Sequence, residues 1–237
     1  MFGISTLCLH HEPLPVALDR IAEVTGYIEV LDEGRHHLEN AELLLSHSCK
    51  FSIHAPCRGT NISSLLEPIR RASIAVMEEC FVIAAEVNAE VVVHPGYFAW
   101  PEERERAGQQ LKRSIAALDN AAREYSVRYT LENMENWEYF LLKTPDELPL
   151  IDGCGFTLDV GHAHLNHCLT AFLDYPAQHY HLHDNNATGD LHWAVGKGTI
   201  DFGPVMAAVR KSGGTPVVEV EEFQGAVDSM RSLQKMF

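Results

Sequence analysis

Short apolar runs alternate with longer amphipathic stretches along the chain. The runs Phe2–Ser5, Tyr27–Leu31, Phe51–His54, Val91–His94, Val127–Leu131, Gly155–Asp159, His179–His183 and Pro216–Val220 are rich in β-branched and aromatic residues, and each reads as a buried strand. Between them the spacing predicts helices over Pro15–Val24, Leu38–Ser46, Ser63–Asn88, Pro101–Tyr125, Phe202–Lys211 and Ala226–Phe237, with weaker helical stretches at Thr144–Leu150 and Leu169–Tyr175. The opening Pro101-Glu-Glu suits a first helical turn, and Ser212-Gly-Gly suits a helix stop. Strands that alternate with helices form parallel βαβ units. Eight such units in 237 residues match a small α/β chain closed into a (β/α)8 barrel, a fold of about 250 residues. A doubly wound open sheet would carry a Gly-rich phosphate loop after the first strand, and Ser5-Thr-Leu-Cys-Leu-His10 is not one. No Pro/Ser/Gly-rich linker divides the chain, so residues 1–237 read as one domain.

Charge narrows the range of partners. Asp and Glu number 33 against 18 Lys and Arg, a formal charge of −15, and a field of that sign repels nucleic acid and anionic lipid. The six cysteines include no C-x-x-C pair, which excludes a zinc ribbon and a redox dithiol. Free thiols and an uncharged start that does not resemble a signal peptide lead us to expect a cytoplasmic protein. No apolar stretch approaches the roughly 20 residues that span a bilayer, so no membrane partner is expected.

The informative polar residues lie at the ends of the predicted strands. The third to eighth runs end on, or are followed by, His54, His94, Glu132, Asp159 with His162, His181 with His183, and Glu219. In a parallel barrel these ends share the face on which such barrels place their active sites. Any one of these residues alone reads as an ordinary satisfied polar group or a helix cap. Together, so many buried acids and imidazoles need a counter-charge, because burying each unpaired costs several kcal/mol. A bound divalent metal supplies one, and imidazole with carboxylate favours zinc, manganese, iron or cobalt over magnesium or calcium. Asp190 and His192, in the loop after the seventh strand, extend the set, although Asp190 after Gly189 also reads as a turn residue.

The combination His54-Ala-Pro, His94-Pro-Gly, Leu131-Glu132-Asn133, Leu158-Asp159-Val-Gly-His162, His181-Leu-His-Asp184, Asp190-Leu-His192 and Glu219 resembles the xylose isomerase-like TIM-barrel superfamily, which includes endonuclease IV and the sugar phosphate isomerases and epimerases. The resemblance runs from the third strand to the end. It implies one metal on His54, His94 and Glu132, a second on Glu132, Asp159, His181 and Glu219, and a third on His162, Asp190 and His192. The isomerase-type members use a single metal on the second set, with Glu132 and Glu219 as the residues that move the substrate proton. The chain departs from these patterns in three places. Cys57-Arg58 stands where endonuclease IV has an aromatic residue that helps displace a base, which argues against abasic-site recognition. Asp184-Asn185-Asn186 lacks the arginine of the ketose epimerases. Gly196-Lys197-Gly198 replaces the family's Gly-Glu-Gly.

The resulting expectation is a metal-dependent isomerase or epimerase of a small sugar, sugar phosphate or polyhydroxy acid. It would carry one to three divalent ions, zinc foremost and manganese or another transition metal as alternatives. Arg58, Lys197 and His183 are expected to contact the carbohydrate. The competing expectation is an endonuclease IV-like phosphodiesterase acting on nucleic acid, the less favoured partner, and a metal- or sugar-binding barrel without catalysis is a third.

Overall fold

A computed structural model describes residues 1–237. Eight parallel strands close into a barrel in sequence order: β1 (Gly3–Ser5), β2 (Tyr27–Leu31), β3 (Lys50–His54), β4 (Glu90–Val93), β5 (Arg128–Glu132), β6 (Gly155–Asp159), β7 (His179–Leu182) and β8 (Thr215–Val218), with β8 pairing back onto β1. Eight α-helices accompany them: α1 (Leu14–Ala22), α2 (Glu42–Leu45), α3 (Glu67–Val87), α4 (Arg104–Tyr125), α5 (Val160–Leu165), α6 (Leu169–Phe172), α7 (Phe202–Ser212) and α8 (Phe223–Met236). The long helices stop where a residue takes the left-handed conformation, Asn88 after α3 and Ser126 after α4. No helix is long and apolar enough to cross a membrane, and all six cysteines are free.

Several expected elements differ in extent. The helix expected over Leu38–Ser46 shortens to α2, and the one expected from Ser63 begins at Glu67. The stretch expected at Thr144–Leu150 is a 3₁₀ segment, Pro145–Ile151, opened by a reciprocal cap between Thr144 and Glu147. One helix was not anticipated. The α5 turn starts directly on β6 because Asp159 is its N-cap, its Oδ1 accepting the His162 N–H at 2.6 Å.

Alternation along the strands decides what the barrel encloses. Ile28, Val30, Ile53, Val91, Val93, Leu131, Phe156, Leu158, Tyr180 and Leu182 join the apolar layer between sheet and helices. The intervening positions point inward and many are polar: Glu29 and Ser52, Thr130 and Thr157, His179 and His181 are all essentially inaccessible to solvent. Register sets them against one another, with Glu29 beside Ser52, Thr157 beside His179 and Asp159 beside His181. The Ser52 hydroxyl donates to Glu29 Oε2 at 2.8 Å, and the Thr130 and Thr157 hydroxyls meet at 2.6 Å. The mouth of the barrel is thus floored by a polar column that orients the side chains above it.

Candidate metal centre

His54 closes β3, Glu132 closes β5, and Asp159 closes β6. His94 and Glu219 each follow their strand by one residue, a consequence of the inward alternation continuing past the last ladder bond. Glu132 is central. Its Oε2 lies 3.3 Å from His54 Nε2 and 3.2 Å from His94 Nε2, while its Oε1 lies 2.8 Å from His181 Nδ1. The same His181 nitrogen is 3.4 Å from Glu219 Oε2 and 3.8 Å from Asp159 Oδ2. Ligand atoms of Glu132, Asp159, His181 and Glu219 all fall within 4.8 Å of one another, and so do those of His162, His183, Asp190 and His192, and those of His54, Cys57 and His94.

Backbone carbonyls set the tautomers. His54 Nδ1 donates to the Ala55 carbonyl at 3.0 Å, His162 Nδ1 to Asn133 at 2.8 Å, and His192 Nδ1 to Glu219 at 2.8 Å. A carbonyl can only accept, so each ring turns its Nε2 lone pair toward a carboxylate: Glu132 for His54, and Asp190 Oδ2 for His162 (3.3 Å) and His192 (3.0 Å). A lone pair facing a carboxylate requires a proton or a cation between them. Hydrogen-bonding of the remote nitrogen to a backbone carbonyl is also how metal-ligating histidines are oriented. Asp190 Oδ1 is buried without a hydrogen-bond partner. Nitrogen and oxygen donors, fixed tautomers and this orphaned oxygen fit a divalent transition metal.

Without metal, protons take that role. Burial opposes the charged form of His54, but its hydrogen bond and charge interaction with Glu132 win and raise it to about 9. His192 is raised to about 10 against burial by Asp190. His162 and His181 lie well above the usual imidazole value despite burial, through Asp159 and Asp190 for the first and Glu219 and Glu132 for the second. The Glu132 carboxyl, which burial alone would raise, is held well below its ordinary range by His181, and Asp190 is lowered by His162. His94 is lowered, burial outweighing Glu132.

The residues open onto a cavity of about 400 Å³. Glu132, Glu219 and His94 lie at its floor, and Tyr97, Trp137 and Phe140 form one wall, with ring centroids 5.5 Å apart for Tyr97–Trp137 and 4.9 Å for Trp137–Phe140. Arg58 stands at the rim, largely exposed, 3.6 Å from Glu33.

Two expected substrate contacts lie elsewhere. His183 is fully buried behind Asp159, its Nε2 3.0 and 3.1 Å from the two carboxylate oxygens, and its ring stacks on His192. It orients Asp159 and does not line the cavity. Lys197 is exposed in a neighbouring groove with Trp193 and Asp228, because the turn through Gly196–Gly198 folds back onto Asp184. His36 is buried with both ring nitrogens bonded, to Thr6 Oγ1 and the Glu12 carbonyl.

Three residues were missed. Glu29 lies 2.9 Å from His181 Nε2 and 2.8 Å from His179 Nε2. A carboxylate in the middle of Tyr27–Leu31 was the signal for it. Glu33 Oε1 accepts the backbone N–H groups of Cys57 and Arg58 at 2.6 and 2.7 Å. Asp184 accepts from the backbone N–H groups of Asn185, Gly196, Gly198 and Ile200 and so shapes the loop that carries Asp190 and His192. No local pattern in the sequence announces Glu33, whereas Asp184 stands in the His181-Leu-His-Asp184 motif without a sign of its role in the loop.

Residues 24–236 match the family described as xylose isomerase-like TIM barrel, and the chain belongs to that family. An uncharacterised protein of Methanocaldococcus jannaschii, MJ1614, is 32% identical over 214 residues, covering 86% of this chain and 85% of that protein. A probable endonuclease 4 of Mycobacterium leprae is 25% identical over 214 residues, 83% of this chain and 82% of that one. Among solved structures, a D-tagatose 3-epimerase-like protein superposes with a TM-score of 0.89 at 27% identity, covering 99% of this chain and 96% of its own. These likenesses support an enzyme of the sugar isomerase and epimerase kind.

Proposed function

We propose that the protein is a divalent-metal-dependent isomerase or epimerase of a small sugar, sugar phosphate or polyhydroxy acid. The observation that carries this reading is the convergence of Glu132 and Glu219 on one nitrogen, His181 Nδ1, at the floor of a cavity of about 400 Å³. That volume suits a small molecule, since such sites run to roughly 300–1,000 Å³. The D-tagatose 3-epimerase-like neighbour supports the same reading.

Glu132, Asp159, His181 and Glu219 would hold the ion. When bound it would supply Lewis-acid polarisation of the substrate's carbonyl and hydroxyl oxygens. The chain's own residues do the rest. Glu219 and Glu132 remove and return the proton on the carbon beside the carbonyl, a role worth typically 10²–10⁴-fold in rate. His183 and the α5 backbone hold Asp159 in place. The Tyr97–Trp137–Phe140 wall excludes water and gives the apolar face of a sugar ring a surface to lie against, and Arg58 at the rim meets an anionic end.

Zinc- or manganese-loaded protein is expected to incorporate deuterium from solvent at a carbon-bound position of a sugar or sugar phosphate. Failure across a broad panel of both would overturn the reading. A second reading, a phosphodiesterase, is favoured by one observation: the His162, Asp190 and His192 set, which a one-metal isomerase does not need. Metal-dependent nicking of an abasic duplex without deuterium exchange on any sugar would establish it instead.

A further inference from the structure

The inference concerns Cys57 and rests on the metal-binding part of the proposed function. The chain leaves β3 through Ala55–Pro56, and Glu33 then clamps the next two backbone N–H groups, those of Cys57 and Arg58. This clamp turns the Cys57 side chain into the cavity, where its Sγ lies within 4.8 Å of the ligand nitrogens of both His54 and His94. The other five cysteines belong to no such group. On the far side of these rings, Glu132 Oε2 lies 3.3 and 3.2 Å from the Nε2 atoms of His54 and His94. We propose that Cys57 is a metal ligand, joining His54 and His94 in a site for a borderline-soft divalent cation of the zinc class.

The chemistry of the donors supports this assignment. One thiolate and two imidazoles select zinc, cobalt or cadmium over magnesium, calcium or manganese. A cysteine sulfur ligates as the thiolate, so uptake of the cation would release the thiol proton to solvent. His54, His94 and Cys57 would hold an ion on one side of Glu132, and Asp159, His181 and Glu219 stand on the other.

The test is an anaerobic cobalt(II) titration of the full-length, metal-stripped protein to saturation. Wild type should develop a near-ultraviolet thiolate-to-cobalt charge-transfer band. Cys57→Ser should lose that band and one equivalent of bound metal per chain, while Cys154→Ser keeps both. Cobalt bound with visible ligand-field bands but no charge-transfer band in wild type would overturn the assignment, whatever the variant does. So would a band that persists in Cys57→Ser. Either result leaves the proposed reaction to the deuterium-exchange experiment, whereas no cobalt or zinc uptake by wild type would remove both.

Discussion

Glu29 Oε1 lies 2.9 Å from His181 Nε2, on the edge of the ring turned away from Glu132 and Glu219. Both residues are wholly buried. The opposite nitrogen, Nδ1, is therefore the one that faces Glu132 and Glu219. A carboxylate behind a ligating imidazole fixes its orientation and raises its basicity, and losing such a partner typically costs about 10–100-fold in metal affinity. Glu29→Gln keeps the shape and removes the charge, so zinc affinity measured by chelator competition should fall by that order. Glu29→Ala should also destabilise the protein by about 3–5 kcal/mol in urea unfolding, because it leaves buried imidazoles without a counter-charge. Unchanged zinc affinity in Glu29→Gln would show that this contact has no bearing on the metal.

Glu219 and Glu132 should separate in their effects. Glu219 touches one donor of the group, His181, and its carbonyl holds His192. Glu219→Gln leaves that carbonyl in place and is expected to reduce deuterium exchange by about 10²–10⁴-fold with a smaller loss of metal than Glu132→Gln. Glu132→Gln breaks contacts to His54, His94 and His181 at once, so it should lower metal content as well as turnover. Equal metal loss in both variants would contradict the division of roles.

Protonation and metal binding compete for the same nitrogens. In the metal-free protein His54 is raised to about 9 and His192 to about 10, above the roughly 6.5 of a free imidazole. A group whose folded pKa is raised adds stability that is fully present below its unfolded pKa and is lost as pH rises through the folded one. The metal-free protein should therefore lose this contribution steadily from about pH 6.5 upward, with the loss levelling off above about 9 and 10. Zinc needs the neutral rings, so the stabilisation it adds should grow over the same interval. Thermal unfolding with and without zinc at several pH values checks both slopes, and a metal-free Tm that climbs across the interval would contradict the assignment of protons to these rings.

Asp184 binds four backbone N–H groups at 2.9–3.1 Å and thereby holds residues 185–200 over the mouth of the barrel. Asp184→Ala should cost at least about 1–3 kcal/mol and loosen Asp190 and His192. Faster limited proteolysis within 185–200, together with loss of one metal equivalent, is the expected outcome. Proteolysis at the wild-type rate would place the control of the loop elsewhere.

Gly161 faces the His183 ring, and a Cβ there would overlap its Cε1. Gly161→Ala must displace the histidine that holds Asp159, so the variant should lose stability and weaken metal retention together, read by urea unfolding and chelator competition. Wild-type values in both would mean that the ring can move without consequence.

The closed barrel was legible in the chain because eight β-type runs separated by helical stretches admit few other closures, and both periodicities are local properties. The strand-end cluster was legible for a related reason. His54, His94, Glu132, Asp159, His181 and Glu219 are ionisable residues placed after apolar runs, and a parallel barrel brings all such ends to one face. Partnership was not legible, because it depends on register and loop path. Only the closed sheet puts Glu29 of β2 behind His181 of β7, across the interior from residues that never neighbour it in sequence. Only the folded loop turns Lys197 away from the cavity while bringing Asp190 and His192 into it, since Asp184 gathers backbone groups up to sixteen residues downstream. His183 shares the spacing of His181 but not its role, because one step farther along β7 the inward position lies behind Asp159 and over Gly161, where space remains for a ring and none for a substrate.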